Sequence, residues 1–398
     1  MDLDIITQNA IVYVLIVWVV IVVAAKALRL DRHGFSITPY SLTYKNSSVN
    51  SVLTRLLGRT KRGIRVFADV SVVAGFIMMG FAFWFLSNNV ANFFVAEDDF
   101  AELTVLIPGV TMTSASSIMY FLMSIPIVLV MHEGAHGIVA ALERIKIKTG
   151  GFAVFIALFA GFVEPDEDEF KKARRVSKLR VIGAGATSNV IFALALGAIL
   201  LTNPFFALVV PEPLLSLFYE LPEGVLVLSV IEGSGAESVG MLAGDIITNI
   251  DGVDITTPLD FPSLTPGQTA DVEILRDGQY IPFEVPITPS PDDPERGLVG
   301  IMRDNSLAYK PVMDFIEWND PAVSMFLLWL WMISFFIGII NMLPLPILDG
   351  GKFIHSIIED RISERAVTTI MIGTYAFTFV LFILNIALSY VKSGWFTI

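Results

Sequence analysis

The chain has 398 residues, 54% of them apolar and only 16% charged, with a mean hydropathy of +0.70. Soluble domains are nearer a quarter charged, so this composition excludes an ordinary soluble globular protein and points to a membrane protein. A formal charge of −13 argues against nucleic acid as a partner, because phosphate binding needs clustered Lys and Arg. The absence of cysteine excludes disulfides and thiolate metal sites, leaving histidine, carboxylate, carbonyl and water as ligands for any metal.

Asp2 and Asp4 precede the first apolar run where a signal peptide would carry bases, and no small-residue cleavage site follows. That first span is expected to be retained. Apolar runs long enough to cross a bilayer occur near 10–28, 66–88, 117–142, 179–202, 322–345 and 367–391, which predicts six spans. The stretch from Gly151 to Val163 is apolar and glycine-rich but too short to cross as a helix, so it is expected to be re-entrant or interfacial. Between the fourth and fifth spans the pattern changes to short β-branched runs, Val225–Ile231, Ile246–Ile250, Val272–Leu275 and Ile281–Ile287. Asp251-Gly252, Pro266-Gly267 and Asp277-Gly278 supply the turns, and Pro289 to Pro294 reads as a polar loop. The expected organisation is therefore an N-terminal membrane region over 1–202, a mostly β insert with linkers over 203–321, and a C-terminal membrane region over 322–398.

Lys and Arg are retained on the cytoplasmic side of spans. The loop 26–65 holds nine bases against one acid, and 143–180 holds nine against six. In contrast, 91–116 carries four acids and no base, and 203–322 carries 20 acids against four bases. These loops alternate as six crossings require, with both termini and the β insert outside.

The third span ends in His132-Glu133-Gly134-Ala135-His136, an H-E-x-x-H pattern. On a helix, residues four apart lie one above the other, so the imidazoles share a face suited to one zinc ion with Glu133 beside them. A catalytic zinc site takes three protein ligands and an open position. Asp349 is the candidate third ligand: it follows the apolar fifth span, where Pro344 and Pro346 break the helix, and an ionisable group there is costly unless paired. Asp349 could equally cap the helix that follows. Spans three and five run in the same direction, so His132, His136 and Asp349 are all expected near the cytoplasmic third of the bilayer, where they can meet.

The HEGAH motif on one span and NMLPLPILDGG on a later one, with the β insert before the second, resemble the site-2 protease family of intramembrane zinc metalloproteases. The resemblance covers most of the chain and implies a polytopic α-helical membrane protein of about six spans with a re-entrant segment and an inserted, mostly β, PDZ-like domain. It implies one Zn2+ per chain on His132, His136 and Asp349, with Glu133 as general base. Gly161 to Asp166 resembles the family's segment after its membrane-embedded loop. Asn189 and Asn341 match Asn-bearing patterns and are carried over as oxyanion or substrate contacts. Residues 233–252 resemble the centre of a bacterial-type PDZ domain, which makes Gly224, Val225 and Leu226 a candidate loop for a C-terminal peptide added as an extra strand. The implied activity is hydrolysis of peptide bonds in or near transmembrane helices of single-span membrane proteins, in regulated intramembrane proteolysis at the cell membrane. Two other functions fit parts of the pattern. A silent scaffold with a structural metal would be expected to close its site with a fourth protein ligand. A transporter would often show paired repeats.

Overall fold

The computed structural model describes residues 10–393 apart from 97–99, 109–110, 113, 157, 221–223, 257–259, 277, 291–294, 308, 314, 317 and 319. Asp2, Asp4, Glu223, Asp277 and most of the Pro289–Pro294 loop lie outside the described residues. The chain divides into two compact units, Met1–Leu196 with Met325–Ile398, and Gly197–Ser324.

The membrane unit begins with α1 (Ala10–Ala27). Two short strands follow, β1 (Phe35–Ile37) and β2 (Leu42–Asn46), and then α2 (Val49–Val95). At about 1.5 Å per residue a helix of 47 residues is far longer than a bilayer core needs. Its apolar part is Lys61–Val95, and the basic first turns precede it. Next come α3 (Ala115–Leu142), β3 (Ile147–Phe155), β4 (Leu158–Pro165), α4 (Glu167–Lys172) and α5 (Arg175–Leu200).

Strands β1 to β4 form one antiparallel sheet in that order. The stretch expected to be re-entrant or interfacial forms a β-hairpin, completed by two strands from the preceding basic loop. Aromatic contacts Phe35–Tyr44 and Tyr44–Phe152 run across it. β3 is an inner strand, flanked by β2 and β4, and a Cβ at Gly151 would run into the Tyr44 carbonyl. β4 is an edge of this sheet.

The inserted unit carries α6 (Glu212–Phe218), β5 (Tyr219–Glu220), β6 (Val225–Val230), α7 (Gly235–Ser238), β7 (Ile246–Ile250) and β8 (Val253–Asp254). It continues with β9 (Thr269–Arg276), β10 (Gln279–Pro286), β11 (Thr288–Pro289), β12 (Gly297–Leu298), β13 (Ile301–Leu307) and β14 (Lys310–Pro311). The main sheet runs β10-β9-β7-β6-β13, with β8 on β7. Two small ladders pair β5 with β14 and β11 with β12. The β7–β8 hairpin turns on Asp251 and Gly252, at φ of 50° and 82°, the left-handed pair that an Asp-Gly turn supplies. Its core gathers Val225, Val227, Ile247, Ile250, Val272, Ile274 and Val285, all at most 1% exposed. Each such side chain stabilises the fold by about 1.5–3 kcal/mol on burial. This is the PDZ-like domain.

The chain returns to the membrane unit with α8 (Pro321–Asn341), α9 (Asp349–Ile358) and α10 (Glu364–Ser393). Among the described residues, five helical segments, Lys61–Val95, Ala115–Leu142, Arg175–Leu200, Ala322–Asn341 and Glu364–Lys392, are long and apolar enough to cross a membrane. The expected first span corresponds to α1, of 18 residues. Small residues let the helices close on one another: a Cβ at Gly338 of α8 would meet the Val190 side chain of α5, and one at Gly183 would meet the Ser71 carbonyl of α2.

Candidate metal centre

His132 and His136 lie one turn apart on α3, with their rings 4.7 Å apart and nearly perpendicular. Asp349 reaches them from the first residue of α9. Helix α8 stops at Asn341 because Pro344 and Pro346 cannot continue it, and residues 342–348 form a tight turn with Leu345 N–H donating to Leu343 and Leu348 N–H to Leu345. The next helix starts hard against this turn: a Cβ at Gly350 would run into the Met342 carbonyl, and one at Gly351 into that of Leu345. The two glycines after the aspartate are therefore packing requirements that fix where Asp349 sits. The N-cap position of α9 is held by Leu348, whose side chain makes no cap hydrogen bond. The Asp349 carboxylate is directed to the histidines.

Asp349 Oδ2 lies 3.1 Å from His132 Nε2 and 3.0 Å from His136 Nε2, and the two Nε2 atoms are 3.1 Å apart. All three side chains are largely buried, at 6%, 14% and 11% exposure. The other carboxylate oxygen, Oδ1, is 3.6 Å from Lys352 Nζ. Among the described residues this is the one His, Asp and Glu group able to hold a metal ion. Tetrahedral zinc with bonds of about 2.0–2.1 Å keeps its ligand atoms about 3.3 Å apart, so little adjustment is needed. Gly185 of α5 lines the place where the nitrogens converge: a Cβ there would run into His136 Nε2 and lie 2.7 Å from His132 Nε2. The donor set and the space both fit zinc.

Glu133 stands beside this group and accepts a hydrogen bond from the Val163 N–H of β4 at 2.8 Å. That approach depends on Gly161, where a Cβ would lie 2.9 Å from Glu133 Cγ. The Gly161-Phe162-Val163 segment thus seats the sheet edge against the carboxylate. His136 Nδ1 faces the Val181 carbonyl at 2.6 Å, and Asn189 Nδ2 lies 3.2 Å from His132 Nδ1. Asn189 is fully buried, and its backbone carbonyl accepts from Ser334 of α8.

The remaining sequence candidates are placed differently. Asn341 is half-buried at the end of α8, and no hydrogen bond joins it to the histidines or Asp349 among the described residues. Gly224, Val225 and Leu226 lie at the start of β6, an inner strand of its sheet. Val225 and Leu226 pair with Ile247 and Ile246 of β7 on one side, and Val225 faces Leu307 of β13 on the other. A Cβ at Gly224 would run into the Ile247 carbonyl. β6 is thus an inner strand of its sheet, and its pairing with β13 is irregular here, with a register shift between Arg303 and Leu307. Gly185, Val181 and Val163 were not singled out from the sequence as site residues. A run of small residues, Gly183-Ala184-Gly185-Ala186, was the signal for the first, while the other two act through backbone atoms that any residue supplies.

The model of peptidase family M50 matches residues 120–384. An uncharacterized protein of Methanocaldococcus jannaschii is 28% identical over 55% of this chain and 52% of its own length. A membrane-bound transcription factor site-2 protease homolog of Arabidopsis thaliana is 33% identical over 39% of this chain and 28% of its own. This chain thus spans about half or less of the length of these curated relatives. A PDZ domain of an SdrC-like protein from Listeria innocua is 27% identical over 21% of this chain and 98% of that domain, with a TM-score of 0.19. The family match spans more than half of the sequence and includes the histidines, Glu133 and Asp349, and this chain belongs to peptidase family M50, the site-2 protease family.

Proposed function

We propose that this protein is an intramembrane zinc endopeptidase that cleaves single-span membrane proteins in or near their transmembrane helices. The observation that carries this reading is the convergence of His132 Nε2, His136 Nε2 and Asp349 Oδ2 within 3.1 Å of one another beside Glu133. Three protein donors leave a position for water or substrate, as a catalytic site requires and a structural one does not. Zinc on these three residues would supply Lewis acidity, polarising a peptide carbonyl and making water acidic enough to lose a proton near neutral pH. Glu133 would take the proton as water attacks and return it to the leaving amine. Its hydrogen bond from Val163 keeps the carboxylate oriented while this happens.

A transmembrane helix hides its carbonyls in intrahelical hydrogen bonds, so a substrate must unwind before attack. Strand β4 is suited to hold it extended. The inner strand β3 has its donors engaged on both sides, whereas the alternate backbone groups of an edge strand point away from the sheet. On β4 the Val163 N–H points to Glu133, and Gly161 and Phe159 fall in the same register. Phe159→Pro removes one such donor and Phe159→Ala keeps it. We expect the proline variant to cleave about tenfold more slowly than the alanine variant; equal rates would remove β4 from substrate binding.

The charge asymmetry of the loops supports an orientation with the PDZ-like domain outside and the metal centre toward the cytoplasm of the cell membrane. A cysteine at Ser48 should then react with an impermeant thiol reagent only in opened membranes, and one at Ser263 in intact cells; the reverse pattern would invert the protein. With β6 internal to its sheet, exclusion of bulky substrate ectodomains is the role we assign to the domain in preference to peptide capture. Substrates shortened by an earlier cleavage would be admitted, which would make the proteolysis regulated. The direct test incubates purified protein with a panel of single-span membrane proteins, with and without a zinc chelator. Cleavage should stop on chelation and return with added zinc; chelator-resistant cleavage would refute a metal mechanism.

A further inference from the structure

The two imidazoles are oriented by different groups, and only one of those groups has an unambiguous polarity. The Val181 carbonyl at 2.6 Å from His136 Nδ1 can only accept a hydrogen bond. His136 must therefore carry a proton on Nδ1, and in the neutral ring its Nε2 lone pair faces the convergence point. His132 Nδ1 faces the carboxamide of Asn189 at 3.2 Å, with Nδ2 as the near atom. In that orientation Nδ1 accepts, so a neutral ring would carry its proton on Nε2. That proton would stand at the point where His136 Nε2 and Asp349 Oδ2 also arrive, and it would deny the nitrogen to a metal.

The oxygen and nitrogen of a carboxamide have nearly the same shape, and half a turn about its terminal bond exchanges them. Asn189 Oδ1 is buried without a hydrogen-bond partner, so the contact exchanged in that turn is the one between Nδ2 and His132 Nδ1. After the turn Oδ1 accepts from His132 Nδ1–H, which is the role the Val181 carbonyl plays for His136. Both Nε2 lone pairs then face the same point as the Asp349 carboxylate.

We propose that Asn189 is a positioning residue whose side-chain oxygen fixes the tautomer of His132, and that it serves the metal centre through this acceptor and not as an oxyanion contact. This rests on the assignment of His132, His136 and Asp349 as metal ligands. Metal-ligating histidines almost always donate their second ring nitrogen to an acceptor, and removing such an acceptor typically weakens metal affinity 10- to 100-fold. Asn189→Leu keeps the shape and removes the acceptor, while Asn189→Asp keeps an acceptor and has no amide donor. Zinc affinity of the full chain in detergent, measured by competition with a chromogenic chelator, should fall by at least about tenfold in Asn189→Leu and stay within about threefold of wild type in Asn189→Asp. Wild-type affinity in Asn189→Leu would overturn the proposal, as would a tenfold loss in Asn189→Asp. The second variant decides the matter alone if the first does not fold. A wild-type protein that binds no zinc would instead refute the ligand assignment itself, a separate outcome.

Discussion

Each unit buries an aspartate, and the company each keeps is different. In the PDZ-like domain, Asp245 is 1% exposed and is met on both oxygens by Arg276, with Nε at 2.6 Å and Nη2 at 2.7 Å, while Leu242 N–H adds a third bond at 2.7 Å. The protein itself completes that site. In the membrane unit, Asp349 is brought against two imidazole nitrogens that also crowd each other, with only an exposed lysine near its second oxygen. Gly185 keeps the adjoining space clear of side-chain atoms. A buried charge matched by protein partners reads as architecture, whereas donor atoms that converge on one point read as a metal-ligand set.

The sharpest way to break this contrast is to fill the cleared space. Gly185→Ala puts a methyl group against both Nε2 atoms, and misplacing reacting groups by about 1 Å can cost about 100-fold in rate. We expect cleavage to fall by about that factor and zinc affinity by about tenfold or more, measured on the purified protein. Wild-type affinity in this variant would mean that the nitrogens are not the ligand atoms.

The matching experiment in the other unit has a smaller consequence for chemistry and a clear one for stability. Removing one partner of a buried ion pair costs about 3–5 kcal/mol, so Asp245→Ala should destabilise the PDZ-like domain by roughly that amount. Burial pushes the Asp245 carboxyl up, but the Arg276 and Leu242 hydrogen bonds outweigh this and hold it below the usual carboxylate range. A carboxyl lowered in the folded state contributes stability that is fully present above its unfolded value near 3.9 and is lost as pH falls through its folded value. Hydrogen exchange at Ile247 and Val272 should therefore stay slow from pH 8 to about 5 after correction for intrinsic rates, and protection should weaken below about pH 4. In Asp245→Ala the protection should be lower throughout and less sensitive to acid. Unchanged protection would show that the pair contributes nothing net.

The same contrast explains what could be read from the residues alone. The metal candidates were legible because an H-E-x-x-H pair at helical spacing and an aspartate after an apolar span are each costly to place in a membrane without a purpose. The strands of the insert were legible from alternation and from turns such as Asp251-Gly252. Strands β1 and β2 were not, being three and five residues long and stabilised by pairing with β3 instead of by any apolar run of their own. Nor was the pairing of β6 with β13: β13 reads Ile-Met-Arg-Asp-Asn-Ser-Leu, too polar to announce a strand, yet it pairs along β6 from Val225 to Val230. Contacts made through backbone atoms, such as those of Val163 and Val181, leave no trace in side-chain identity.

The central claim is that Glu133 moves the proton while His132, His136 and Asp349 hold the metal. Glu133→Gln separates these roles, because it removes the proton acceptor and leaves all three donors in place. Metal content and cleavage should be measured on the same preparation, beside the wild type and against the same panel of single-span substrates. The account predicts about one zinc per chain and a loss of turnover of about 100-fold or more. Cleavage by Glu133→Gln at the wild-type rate would contradict it.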